Sequence, residues 1–191
     1  MTPLQLWEVL AVILAVLYLV LAIRQNIWCW AAAAVSTLLY LYIMFEARLY
    51  MESVLQLFYL AMAGYGWFQW RHGGHDDSVL QVSTWPWRYH TVSVGTVLVL
   101  VFVSGELLTR YSNAALPFLD SLTTWGAVVA TFMVTRKILE NWIYWFVIDA
   151  VSIVLYLNRE LYFTAALFAA YLVMIVIGYR SWRASMPEAR G

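Results

Sequence analysis

Charge is scarce in this chain: 12% of its 191 residues are charged, against roughly a quarter in soluble domains. The eleven basic and eleven acidic residues cancel, so there is no basic face for a nucleic-acid backbone, and a nucleic-acid partner is excluded. Cysteine is reduced to Cys29 alone, which rules out a disulfide framework and a multi-cysteine metal site. No glycine-rich phosphate loop occurs, so ATP hydrolysis by this chain is not its energy source. What is abundant is apolar surface. Hydrophobic residues make up 64% of the sequence, where soluble domains hold about 45–50%. A fold of this size cannot hide that much from water, so the excess faces lipid. The chain reads as an all-α integral membrane protein whose 191 residues form a single membrane domain.

A spanning helix needs roughly 20 mostly apolar residues. Seven windows fit, at about 4–23, 27–45, 49–70, 90–109, 117–136, 141–157 and 161–180. Connections are short except for 71–89, a polar stretch with one proline, Pro86, and two adjacent glycines. The first window lacks a basic leader and a small-residue cleavage site, so it reads as a retained helix. Seven crossings place the termini on opposite sides. The N-terminal side carries Arg48, Arg110 and Arg159. The other carries Arg24, Arg71, Arg88, Arg136, Lys137, Arg180, Arg183 and Arg190. The positive-inside rule then puts the C-terminus in the cytoplasm and the N-terminus outside.

The chain also repeats. A shift of 112 residues lays the third span on the seventh, with Leu49 on Leu161, Tyr50 on Tyr162, Tyr59 on Tyr171, Met62 on Met174, Gly66 on Gly178 and Trp70 on Trp182. With two fewer residues in the later hairpin, the second span falls on the sixth, Trp28 meeting Trp142 and Tyr42 meeting Tyr156. On that alignment Trp145 faces Ala31 and Asp149 faces Val35, so the polar stripe is absent from the first copy. Four spans separate the partners, so both copies run in the same direction. The layout is three helices (about 4–70), a linker helix (about 90–109) and three helices (about 117–182), a 3+1+3 parallel repeat. Two such bundles make a two-fold interface with a central pocket, which favours transport of a solute over a receptor or scaffold role.

Polar residues deep in the spans carry the chemistry. Asp149 lies midway along the sixth span, where an unpaired carboxylate is expensive. Trp142, Trp145, Asp149, Ser152 and Tyr156 follow steps of three and four and share one helix face; Ile143, Phe146, Val147, Ala150 and Val154 make the other. Indoles and a carboxylate one turn apart suit a cationic aromatic solute, through stacking, cation–π attraction and counter-charge. On the third span Glu52, Gln56, Tyr59, Ala63, Gly66 and Trp70 form a second stripe, with Gln56 and Tyr59 offering hydrogen bonds and the glycine allowing close helix contact. Thr123 and Thr124 are read as bonding back to their own helix. His72, His75, Asp76 and Asp77 sit in a loop beside glycines and are not read as a metal site. No serine–histidine–aspartate set or paired acid system lies in the spans, so no enzyme is expected.

Three segments carry a resemblance. Leu55 to Trp70 (LQLFYLAMAGYGWFQW), Thr135 to Ser152 (TRKILENWIYWFVIDAVS) and the Phe118-x-Asp120-Ser121 stretch before it resemble, in order and spacing, the Pnu family of bacterial vitamin transporters. The likeness runs from about residue 24 to 182. It implies a SWEET-like fold in the bacterial inner membrane and facilitated diffusion of nicotinamide riboside, kept one-way by a cytosolic kinase. It also implies a homotrimer and no cofactor. The family's tryptophan pair carries over to Trp142 and Trp145, and its glutamine to Gln56. Two positions depart from it: Asp149 stands where riboside-type members carry asparagine, and Ala63 where some carry another. The added negative charge suits the pyridinium of nicotinamide riboside or the thiazolium of thiamine, a substrate of related members. The expected substrate-binding set is Trp142, Trp145, Asp149, Gln56, Tyr59, Tyr171 and Ser152. Proton coupling through Asp149 is a rival mechanism, and a seven-helix sensor without solute flux is the rival class.

Overall fold

The computed structural model describes residues 3–46, 50–74, 79–112, 116–158, 160 and 162–186. Arg48, Leu49, His75, Asp76, Asp77, Arg159, Leu161 and Arg190 lie outside the described residues, as do the side chains of Tyr50 and Glu52. Among the described residues seven helices follow in order: α1 (Pro3–Ile23), α2 (Trp28–Glu46), α3 (Tyr50–His72), α4 (Trp87–Tyr111), α5 (Pro117–Thr135), α6 (Asn141–Asn158) and α7 (Tyr162–Ala184). Each lies on one of the seven apolar windows. Among the described residues four meet the length and composition needed to cross a membrane: α4, α5, α6 and Ala165–Ala184 of α7. Shorter apolar stretches run through Val9–Ile23 and Trp28–Ile43.

The breaks between helices follow from local chemistry. α1 ends where Gln25 takes a left-handed φ of 53°, and Asn26 Oδ1 accepts the Trp28 N–H at 3.0 Å to start α2, the service an N-terminal cap performs. α5 ends the same way, at Lys137 with φ 50°. α4 begins three residues earlier than its apolar window. Pro86 at φ −64° and ψ 148° holds the extended geometry that precedes a helix. α1 and α5 each open on a proline, at the helix position where a missing N–H costs nothing.

The chain divides into two compact units. Unit 1 comprises residues 1–81 with Thr135–Lys137 and the end of the chain from Ser185; unit 2 comprises Val82–Val134 and Ile138–Ala184. In unit 1, α2 packs against both α1 and α3. Ala11, Ala22 and Ala32 are buried, as small residues at helix contacts are. Ser36 Oγ donates to the Ala11 carbonyl at 2.9 Å, joining α2 to α1. In unit 2, α6 packs against α7. Trp125 Nε1 on α5 donates to Ser104 Oγ on α4 at 3.1 Å, and Gly105 of α4 receives the Phe118 ring. Ser83 pairs with Ile138 in a parallel bridge, the Leu139 N–H donating to the Ser83 carbonyl at 2.8 Å. Most of the remaining α4 surface is exposed apolar side chain, including Val92, Leu98, Val99, Phe102 and Val103.

One packing device occurs in both units. In unit 1 the Trp30 indole lies over Gly66, against the space a Cβ would take, and meets Trp70 edge-on at 5.4 Å and 85°. In unit 2 Trp142 lies over Gly178 and meets Trp182 edge-on at 5.4 Å and 89°. Both Trp30 and Trp142 bury an indole N–H that has no hydrogen-bond partner among the described residues. These positions lie 112 apart, as do the left-handed Gln25 and Lys137, the ends of α1 and α5, the ends of α2 and α6, and both ends of α3 and α7. The two-residue gap expected between α2 and α6 is therefore corrected. Trp28 is 62% exposed and Trp142 only 3%, so they do different jobs, and Trp30 is the counterpart. In this register Asp149 stands opposite Thr37, itself buried, and Trp145 opposite Ala33.

Candidate functional site

Burial on α6 is one-sided, with Trp145, Ala150 and Tyr156 half-buried between its two faces. Asn141, Trp142, Ile148, Asp149, Ser152 and Leu155 are buried, while Ile143, Phe146, Val147 and Val154 are exposed. A helix places residues three and four apart on one side, so Trp142, Trp145, Asp149 and Ser152 line the inward side in succession. Asp149 is 5% exposed. Among the described residues its carboxylate has no ion-pair or hydrogen-bond partner; the ion pair they contain is Arg110–Glu106, at the end of α4. An orphan carboxylate at mid-helix is a strong anomaly in a membrane protein, where such groups are paired or serve a solute.

The other candidates divide by what they touch. Trp142 is enclosed by Gly178 and Trp182, a packing role shared with Trp30. Trp145, one turn further along, is half-buried. Ser152 Oγ donates to the Ile148 carbonyl of its own helix at 2.9 Å. Tyr171 meets Phe168 at 5.5 Å, and Phe168 meets Tyr156 at 5.0 Å, an aromatic ladder between α7 and α6. Trp142, Trp145, Ser152 and Tyr171, like Asp149, belong to unit 2. Gln56 and Tyr59 belong to unit 1, where both are half-buried on the face of α3 that continues through buried Ala63, Gly66 and Trp70. Tyr59 meets the neighbouring Phe58 ring at 5.5 Å. Thr123 and Thr124 both donate to the Asp120 carbonyl at 2.9 Å, the back-bonding expected of them.

Several polar contacts had no signature in the sequence. His90 Nδ1 and the Tyr144 hydroxyl lie 3.1 Å apart, tying α4 to α6. The Trp85 N–H donates to Glu140 Oε2 at 3.3 Å, so the polar linker before α4 is pinned to the start of α6. Lys137, counted from sequence as one of eight charges on a wet face, is 4% exposed. Among the described residues no group of three or more metal-ligating side chains forms.

Comparison with known proteins agrees with the geometry. The nicotinamide mononucleotide transporter family matches residues 5–184. The nicotinamide riboside transporter PnuC of Escherichia coli is 27% identical over 209 aligned positions, covering 95% of this chain and 86% of its own, and the protein of the same name from Shigella flexneri gives the same figures. The riboflavin/roseoflavin transporter RibM of Streptomyces davaonensis is 28% identical, covering 94% of this chain and 87% of its own. Among solved structures, the crystal structure of the vitamin B3 transporter PnuC superposes with a TM-score of 0.71 at 24% identity, covering 94% of this chain and 81% of that one. At that identity the match speaks to the fold alone.

Proposed function

Because the chain belongs to the nicotinamide mononucleotide transporter family, matched over residues 5–184, and is a multi-pass membrane transporter and not an enzyme, we propose that it carries nicotinamide riboside by facilitated diffusion across the bacterial inner membrane. The observation that carries the substrate reading is the buried, unpartnered carboxylate of Asp149, with the Trp145 indole on the adjoining turn. A cationic aromatic ring satisfies both groups at once, giving the carboxylate a counter-charge and the indole a stacking or cation–π partner. Gln56 and Tyr59 supply hydrogen bonds to the polar part of the solute, and Ser152 and Tyr171 complete the set. Trp142 acts as scaffold, holding α6 to α7 through Gly178 and Trp182.

In this account the 112-residue recurrence is a 3+1+3 parallel repeat of the SWEET type, α4 being the linker, and transport proceeds by rocking of the repeats. The N-terminus faces outward and the C-terminus the cytoplasm, by the three-to-eight division of basic residues. A carrier with no coupled energy source only equilibrates its solute, whatever its affinity on either side. Accumulation therefore requires phosphorylation of the solute by a cytosolic kinase, and the working assembly is a homotrimer. Thiamine, also cationic and aromatic, is the alternative substrate on the same chemistry. Riboflavin has the support of RibM at comparable identity, but its uncharged ring system gives Asp149 nothing to neutralise.

The test is uptake into proteoliposomes with and without a riboside-phosphorylating kinase inside. Equilibration without the kinase, accumulation with it, and indifference to an uncoupler are expected. Uptake that collapses on adding an uncoupler would make Asp149 a proton carrier and overturn simple diffusion. No flux of nicotinamide riboside, thiamine or riboflavin would favour the sensor class.

A further inference from the structure

Unit 1 contains a second chemistry of its own. Where α1 turns into α2 and α3 ends, a cavity of about 510 Å³ opens, with the cations Lys137 and Arg71 in its wall beside the indoles Trp28, Trp67 and Trp70. Trp28 and Trp67 meet edge-on at 5.5 Å and 77°. Lys137 is buried, and its Nζ donates to Gln25 Oε1 at 3.2 Å and lies over the face of Trp70, 4.6 Å from the ring centre. An ammonium carries three donors, and a neutral amide oxygen with a ring face does not compensate a buried charge. No carboxylate pairs with it among the described residues.

Two further features point the same way. Lys137 is held at φ 50°, a conformation that costs a non-glycine residue on the order of 1 kcal/mol or more, so its side chain is kept at the expense of backbone ease. Its counterpart 112 residues earlier, Gln25, has the same φ sign but no charge. The cation therefore belongs to one copy of the turn and is not required to make the turn. Arg71 on the cavity wall is exposed and has no salt-bridge partner among the described residues. Its guanidinium presents a planar fork of donors that matches phosphate, while a lysine acts as a point charge.

We propose that this cavity is an anion site that receives a phosphate group, held by Lys137 and Arg71, with Trp28 and Trp67 supporting the group that bears the phosphate. Its place at helix ends puts it at the membrane–water boundary. α3 has 23 residues and at about 1.5 Å per residue outruns a hydrocarbon core of about 30 Å. Two sources of phosphate reach that depth, the headgroup of an anionic phospholipid and a soluble organic phosphate.

Thermal unfolding of the purified full chain in a neutral detergent separates them. Short-chain phosphatidylglycerol, short-chain phosphatidylcholine and adenosine monophosphate are titrated in parallel. A saturable rise in melting temperature with phosphatidylglycerol but not phosphatidylcholine supports the site and assigns it to lipid; a rise with the nucleotide assigns it to a soluble phosphate. Arg71→Gln, at an exposed position, weakens the responding ligand about ten-fold, the loss of one charge-assisted contact. Lys137→Gln removes the response, and where that variant does not fold Trp28→Ala, also exposed, takes its place. Equal shifts from both lipids with none from the nucleotide overturn the proposal, as does an Arg71→Gln variant that responds like the parent.

Discussion

Replacing Gly178 with alanine sets a methyl group 2.5–2.7 Å from the Cη2, Cζ3 and Cζ2 atoms of Trp142. Ordinary carbon contacts lie at about 3.5–4.0 Å, so α7 or the indole must yield by roughly 1 Å. The indole has little room, because Trp182 stands edge-on to it at 5.4 Å. Overpacking of this kind costs about 1–3 kcal/mol, while alanine regains about 0.4–1 kcal/mol over glycine within a helix. The net expectation is a loss of roughly 1–2 kcal/mol. Gly64→Ala and Gly95→Ala supply the controls, since nothing lies within 4 Å of a Cβ at either position, and each should be neutral or slightly stabilising. Reversible unfolding of the three variants in one detergent reads the difference directly. Because the Gly66 position in unit 1 meets Trp30 in the same way, Gly66→Ala should fall beside Gly178→Ala. A Gly178→Ala protein as stable as the Gly64→Ala control would refute the tryptophan-over-glycine device and the 112-residue register drawn from it.

Other outcomes follow from single contacts. Ser36→Ala removes the hydrogen bond to the Ala11 carbonyl and should cost about 0.6–1.7 kcal/mol, the range for interhelical bonds in membranes, measurable by the same unfolding assay. Trp145→Ala should weaken binding of nicotinamide riboside about ten-fold, from loss of roughly 0.5–2 kcal/mol of cation–π attraction, with little change in unfolding. Burial holds Lys137 below the ordinary lysine value of 10.5, with Cys29 opposing that shift in part. The folded chain then sheds this proton before the unfolded chain does. Without added anion, stability should rise with pH across the interval between the lowered value and 10.5. Lys137→Met should flatten that slope, with Arg71, Gln25 and Cys29 left in place around it, in unfolding measured from neutral pH to pH 10.

The helices were legible in the sequence because lipid imposes a simple rule, about twenty apolar residues per crossing, and the windows lie within a few residues of α1 to α7. α4 starts early because Pro86 sets extended backbone just ahead of Trp87, a local effect that hydropathy does not register. The α3/α7 match was legible through Tyr59/Tyr171, Gly66/Gly178 and Trp70/Trp182. The α2/α6 match was misplaced by two residues because Trp28 and Trp30 are both tryptophan. Only burial distinguishes the interfacial indole from the one that lies over a glycine. The inward face of α6 was readable from spacing alone, Asp149 included. Lys137 was not: a basic residue between two spans normally meets water, and its burial arises from contacts with Gln25 and Trp70, which are distant in sequence. The His90–Tyr144 and Trp85–Glu140 contacts were hidden for the same reason.

The proposed transport rests on Asp149 supplying the counter-charge for a cationic vitamin. Isothermal calorimetry of the purified protein and its Asp149→Asn variant tests it most directly, with nicotinamide riboside, thiamine and riboflavin each titrated in one detergent. Nicotinamide riboside should bind the parent protein and lose about 1–3 kcal/mol of affinity in the variant, the worth of a charge-assisted contact. Equal affinity of the two proteins for the riboside, or tight binding of riboflavin alone, would contradict it.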